Sequence, residues 1–91
     1  MSRLSGYYAE VTNDFASLAG GAEVALDVTV PGAQLGDFAM CSLGVDVVDL
    51  IVTVNVTAAN TATVLLANAT AGAIDLASTT VRVKVIPFDA I

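Results

Sequence analysis

The sequence predicts a single small all-β domain, an antiparallel β-sandwich or barrel of the jelly-roll or immunoglobulin-like kind. Three observations predict this class. Apolar and polar residues alternate with a period of two in at least four segments, which is typical of half-buried strands. Turn-forming residues separate these segments at intervals of roughly 8–12 residues, as in small all-β folds. The chain has 91 residues, which is enough for one domain.

The first clear strand is predicted over 23–30, because alternate residues place one apolar face against a polar one. Pro31-Gly32 ends it, since proline cannot donate to a strand ladder. A second strand is predicted over 37–43. It is mostly apolar on both faces, which indicates a central or covered strand.

Residues 50–57 and 61–68 are separated by the short polar turn 58–60, and this spacing predicts an antiparallel hairpin. The last strand is predicted over 79–86, where Arg82 and Lys84 alternate with valines and should lie in solvent. The predicted core positions of these three strands are Leu50, Val52, Val54, Val56, Val64, Leu66, Val81, Val83 and Val85.

The remaining segments have no clear period. Residues 15–19 are predicted as a short strand or turn, and 69–77 as a loop, because glycine and threonine interrupt both alanine-rich stretches. Residues 1–14 are predicted as an irregular N-terminal arm, which leaves 15–91 as the β-domain.

The composition points to assembly with other protein. Hydrophobic residues make up 56% of the chain and charged residues only 13%. A chain of this size is close to the lower limit for independent stability. The single cysteine, Cys41, cannot form an intrachain disulfide, and the chain has no histidine for a zinc site. We therefore expect a homo-oligomer, in which partner copies complete the core.

The charge pattern excludes other partners. The net charge is −6, and the only basic residues are Arg3, Arg82 and Lys84. Binding to nucleic acid requires several cations, so we expect none, and the same argument disfavours anionic membranes. Polar residues interrupt every apolar stretch well before the length of about 20 that a spanning helix requires. We also expect no secretory signal, because no continuous apolar segment follows Met1.

Catalytic groups are missing from the sequence. Without histidine the usual base for a nucleophile is absent, so we expect no enzymatic activity, no cofactor and no small-molecule substrate. Cys41 is expected to be a packed, neutral thiol. Asp46 and Asp49 share a loop, but two carboxylates fall short of the oxygens that calcium requires, so a solvated loop is expected. Asp37 and Asp75 are expected to cap backbone N–H groups.

Interface residues are the remaining candidates. Asn55 and Asn68 match glycosylation sequons but are interpreted as polar, outward positions. Arg82 and Lys84 either pair with an acidic neighbour or discourage unwanted strand pairing as solvated charges. The aromatic residues are too dispersed in sequence to suggest a stacking platform. The predicted interface set is Tyr7, Tyr8, Arg82, Lys84 and Phe88.

Four segments in order resemble a small β-rich module of tailed-phage virion proteins. These segments are 30–37, 56–64, 68–75 and 77–83, and the resemblance covers roughly residues 15–86. Modules of this family look like head decoration proteins, also called capsid cement proteins, when they stand alone. They look like fibre-associated domains when they are appended to longer chains.

The resemblance implies a structural role without catalysis. It implies a capsid decoration protein that binds the major capsid protein as a trimer, stabilises the outer surface of the virion head, and is assembled in the host cytoplasm. The alternative that it leaves open is a tail, fibre or baseplate component that attaches to host-surface glycans.

Overall fold

The computed structural model describes residues 6–89, which form two three-stranded antiparallel sheets packed together as a β-sandwich. Sheet I has the strand order β1-β6-β3, and sheet II has the order β2-β5-β4. The fold class predicted from the sequence is confirmed, and over residues 6–89 the sheets do not close into a barrel. The strands are β1 Tyr7–Asn13, β2 Glu23–Thr29, β3 Phe38–Leu43, β4 Ile51–Ala58, β5 Thr61–Ala67 and β6 Thr79–Ile86.

The core lies between the central strands β5 and β6, because alternate residues of each point inward. In β6 these are valines, and in β5 they are Ala62, Val64 and Leu66, all fully buried. Inward residues of the four edge strands complete the core, together with Phe15, Leu18 and Leu76 from the loops. Burial of each such valine or leucine side chain contributes about 1.5–3 kcal/mol.

Most of the predicted strands are confirmed to within about one residue, including the β4–β5 hairpin. Asn60 forms its turn with a φ of 63°, a left-handed conformation that asparagine tolerates better than most residues. The side-chain Oδ1 of Asn60 accepts a hydrogen bond of 2.8 Å from the N–H of Gly32. This contact joins the hairpin to the loop that follows β2.

The expectation of an irregular N-terminal arm does not hold for Tyr7–Asn13, which form β1 and pair with β6 along their whole length. Alternation is present there, but Ala9 is a weak apolar signal and Tyr7 and Tyr8 occupy both faces. The ring of Tyr7 lies directly over Gly32, where a Cβ would overlap it. Residues 1–5 of the predicted arm lie outside the described residues, as do 90–91.

The prediction that the second strand is central or covered is wrong. β3 lies at an edge of sheet I, since β6 pairs with β1 on its other side. Its outer face is exposed, with Phe38 at 64% and Met40 at 56% of their full accessible area. The small residues Ala39 and Cys41 face the core instead.

Two buried polar residues connect the loops. Asn68 was expected to point outward, but its amide donates to the carbonyl oxygens of Leu18 and Gly72 at 2.8 and 2.9 Å. Burial is tolerated because these bonds satisfy the amide. Asp37 accepts N–H hydrogen bonds from Gln34 and Phe88 at 2.9 and 3.1 Å, which confirms its predicted capping role. Among residues 6–89 no helix has the length and apolarity needed to cross a membrane.

Candidate protein-interaction site

The outer face of sheet I, named here the cationic face, combines exposed apolar side chains with two positive charges. Strand register places Tyr8 and Met40 directly across from Lys84, one on each side. Cross-strand neighbours of this kind lie about 5 Å apart. The adjacent rows of the face contain Glu10, Arg82 and Ser42 in one, and Ile86 and Phe38 in the other.

A shallow groove of about 220 Å³ crosses the cationic face. Tyr8 and Met40 contribute apolar walls, and Arg82 and Lys84 contribute charge. Beside the groove, Gly6 packs closely on Lys84, because a Cβ at this position would come within 2.8 Å of Cε of Lys84. The groove is therefore shaped to contact an apolar group that lies beside a negative charge.

The two positive charges of this face, Arg82 and Lys84, differ in their surroundings. Nε of Arg82 lies 3.9 Å from Oε2 of Glu10, a long and exposed ion pair that contributes little to stability. Within residues 6–89 Lys84 has no ion-pair partner. All nine acidic residues of the chain lie in the described part, against Arg82 and Lys84 as its basic residues. Within residues 6–89, attraction for an acidic partner is thus confined to the cationic face.

The outer face of sheet II, named here the threonine face, has the opposite character. Thr63 at its centre donates to Oδ1 of Asp27 at 2.7 Å, and its hydroxyl lies 2.8 Å from that of Thr57. Glu23 adds a second acid at the edge of this face. The central groups Thr57, Thr63 and Asp27 already satisfy one another, which is typical of a solvated surface.

Exposed large apolar side chains concentrate in one stretch of the sequence. Of the seven among residues 6–89, five lie between residues 35 and 51, on β3, at the start of β4 and in the adjoining loops. Val48 is one of them and has a φ of 60°, which is strained for a β-branched residue. Its N–H donates to Oδ1 of Asp46 at 2.9 Å. The five residues are Leu35, Phe38, Met40, Val48 and Ile51.

The structure separates the five predicted interface residues. Tyr8, Arg82 and Lys84 lie together on the cationic face. Tyr7 is partly buried and packs against the core, so its side chain serves the fold. Phe88 is 54% exposed and lies beside Gly36, past the end of β6.

Among residues 6–89, few side chains offer reactive or metal-binding groups. Cys41 is partly buried against the core, and loss of solvation raises the pKa of its thiol, which opposes formation of a reactive thiolate. Asp46 is engaged in its loop turn. Over residues 6–89 no three histidine, cysteine, aspartate or glutamate residues are grouped so as to hold a metal ion.

Phe38 and Met40 were missed as contact residues by the sequence analysis. The signal that identifies them is the alternation of large Phe38 and Met40 with small Ala39 and Cys41. Ala39 and Cys41 face the core, so the large residues that alternate with them point outward. Ile51 was also missed, although alternation from the buried Leu50 places it on the outer face.

Comparisons with protein-family models, with curated proteins and with solved structures find no match to this chain.

Proposed function

We propose that this chain is a structural protein of a tailed-phage virion, a decoration protein that attaches to the major capsid protein on the outer surface of the head. It acts as a homo-oligomer, is assembled in the host cytoplasm and has no catalytic role. The resemblance of its sequence to small virion modules supports this proposal. The observation that carries it is the cationic face.

The cationic face has the composition of a protein-binding surface. Aromatic residues, methionine and arginine are enriched in the centres of such interfaces, and Tyr8, Met40 and Arg82 lie on neighbouring strands there. A rigid three-stranded sheet holds them, so little conformational entropy is lost on binding. Lys84 adds a charge that a shell protein can pair with a carboxylate.

The rest of the surface suits a protein present in many copies on one particle. The threonine face is polar and acidic, and the chain has a net charge of −6. Negative charge on the exposed side reduces attraction to nucleic acid and to other particles. In the orientation that follows, the cationic face contacts the shell and the threonine face lies in solvent.

The test uses the phage whose genome encodes this chain. Purified chain is mixed with heads that lack it, the heads are sedimented, and cryo-electron microscopy locates the added density. We expect regular density over the whole head. Lys84→Glu should weaken binding by about tenfold or more, which corresponds to about 1.4 kcal/mol.

Thr29→Glu provides the matched control, because it adds one carboxylate at an exposed strand position on the threonine face. It should leave binding to heads unchanged. Density confined to the tail or fibres, with binding to host-surface glycans, would instead establish the alternative role. Absence of density on any part of the particle would refute both.

A further inference from the structure

In the part of the chain that the structure describes, the sandwich has four free strand edges, because β1 and β3 flank sheet I and β2 and β4 flank sheet II. A free edge presents unpaired N–H and C=O groups that can pair with a strand of another chain. Within residues 6–89 neither β3 nor β4 has a backbone hydrogen-bond partner on its free edge. Natural proteins usually protect such edges with charges or proline.

The two sides of the sandwich differ in this protection. On one side β1 lies near β2, and these strands contain Glu10, Glu23 and Asp27. On the other side β3 lies near β4, and neither strand contains a charged residue, a glycine or a proline. We name the free edges of β3 and β4 the uncharged side.

Four exposed apolar side chains border the uncharged side. Phe38 and Met40 are on β3, Ile51 begins β4, and Val48 lies in the loop between these strands. Six of the eight residues of β4 are β-branched, which favours strand pairing. An unprotected edge bordered by exposed apolar surface is a site for association.

We infer that two copies of this chain associate through the uncharged side, with β4 pairing antiparallel to β4 of the second copy. This rests on the proposed function, since it specifies the self-association of the decoration protein. Centred on Val54, the pairing uses residues 51–57 of both copies, with valines meeting valines on the inner face. On the outer face Thr53 lies opposite Asn55 of the second copy.

The distribution of charge permits β4 to pair with a second copy across a two-fold axis and opposes the same pairing at β2. The equivalent pairing of β2 with itself, centred on Ala25, would oppose Glu23 to Asp27 of the other copy, and like charges directly opposite are destabilising. β4 has no charge to oppose. Each copy has one acidic loop, which contains Asp46 and Asp49. A two-fold axis places the loops of the two copies at opposite ends of the dimer. A three-fold axis parallel to the strands would instead bring three of these acidic loops together.

The inference therefore specifies a dimer, where the resemblance implies a trimer. Closed two-fold dimers are the commonest protein assemblies. Because β3 lies beside β4 in the other layer, the same axis brings the two β3 edges toward each other. Exposed Phe38 and Met40 then border the contact.

Two double variants test this register by sedimentation equilibrium of the purified chain. Thr53→Lys/Asn55→Lys places lysines opposite each other across the two-fold, and should raise the dissociation constant by about tenfold or more. Thr53→Lys/Asn55→Glu introduces the same number of charges but opposes lysine to glutamate. This second variant should remain dimeric. Both positions are exposed, and circular dichroism with urea unfolding checks that both variants fold.

The results separate this inference from the proposed function. A wild-type chain that is monomeric at hundreds of micromolar, a trimer, or a dimer that both variants leave intact would overturn the β4 pairing. Loss of the dimer in both variants would overturn the register. A monomeric chain that still decorates heads would overturn the β4 pairing and leave the proposed function intact. A dimer that binds no part of the particle would refute the function alone.

Discussion

The two sheets have the same construction inside and different chemistry outside. Each has a central strand whose inward residues are fully buried between two partly buried edge strands. Outside, sheet I combines Tyr8, Met40 and two cations, whereas sheet II has threonines bonded to one another and to Asp27. The inward residues determine the fold, and the outward residues determine what the molecule can bind.

The two outer faces also differ in how many of their polar groups already have hydrogen-bond or ion-pair partners. At the centre of the threonine face, the hydroxyls of Thr57 and Thr63 and the carboxylate of Asp27 already have partners, so covering this face would require their rearrangement. On the cationic face Lys84 has no ion-pair partner within residues 6–89, and apolar side chains remain in water. Contact with another protein is thus favoured on sheet I.

The largest expected effect tests the shared interior. Val64 and Val83 are fully buried at the centres of the two sheets. Each valine-to-alanine substitution should reduce the free energy of unfolding by about 2–3 kcal/mol, through lost burial and the cavity left behind. Urea unfolding of both variants measures this. Losses that differ by more than about 1.5 kcal/mol would break the equivalence of the two inner faces.

The hydrogen bonds of the threonine face predict a smaller effect. Thr63→Val retains the shape of the side chain but removes its bonds to Asp27 and Thr57. The free energy of unfolding should fall by about 1 kcal/mol. Thr53→Val is the matched control, because Thr53 lies on the same face and makes no side-chain hydrogen bond within residues 6–89. Equal stability of the two variants in urea would argue against an ordered threonine network.

The smallest effect is expected at the ion pair of the cationic face. Glu10→Gln removes the negative charge that lies 3.9 Å from Arg82. Because both side chains are about half exposed, the free energy of unfolding should change by less than about 0.5 kcal/mol. Thermal and urea unfolding provide the measurement. A loss above about 1 kcal/mol would mean that this pair stabilises the sheet, and that Arg82 is less available to a partner.

Strand positions with strong alternation were predictable from local sequence. β2, β4 and β6 place an apolar residue at every second position, mostly alternating with polar ones, and this period of two directly reports which side is buried. In β5 the alternation is limited to the first half, before Val64-Leu65-Leu66, and the short polar turn at 58–60 also indicated where this strand begins. β1 was missed because alanine and two adjacent tyrosines weaken the contrast between its faces. β3 was misplaced because phenylalanine and methionine were interpreted as buried by their polarity alone.

The candidate site was only partly predictable. Tyr8, Arg82 and Lys84 were named from the sequence, whereas Met40 and Phe38 became contact residues only once β3 was found at an edge. Asn68 shows the same limit in the opposite direction. Its amide partners, Leu18 and Gly72, are in two different loops, and no local pattern reports such a pairing.

By itself the sequence determined the all-β class, the position of five strands, the inward valines and the confinement of positive charge to β6 within residues 6–89. These properties depend on short-range alternation and on composition. The tertiary structure decided which strands are edges, which outward residues share a face, and which polar groups are buried. Those properties depend on strand order, which arises from contacts between residues far apart in the chain.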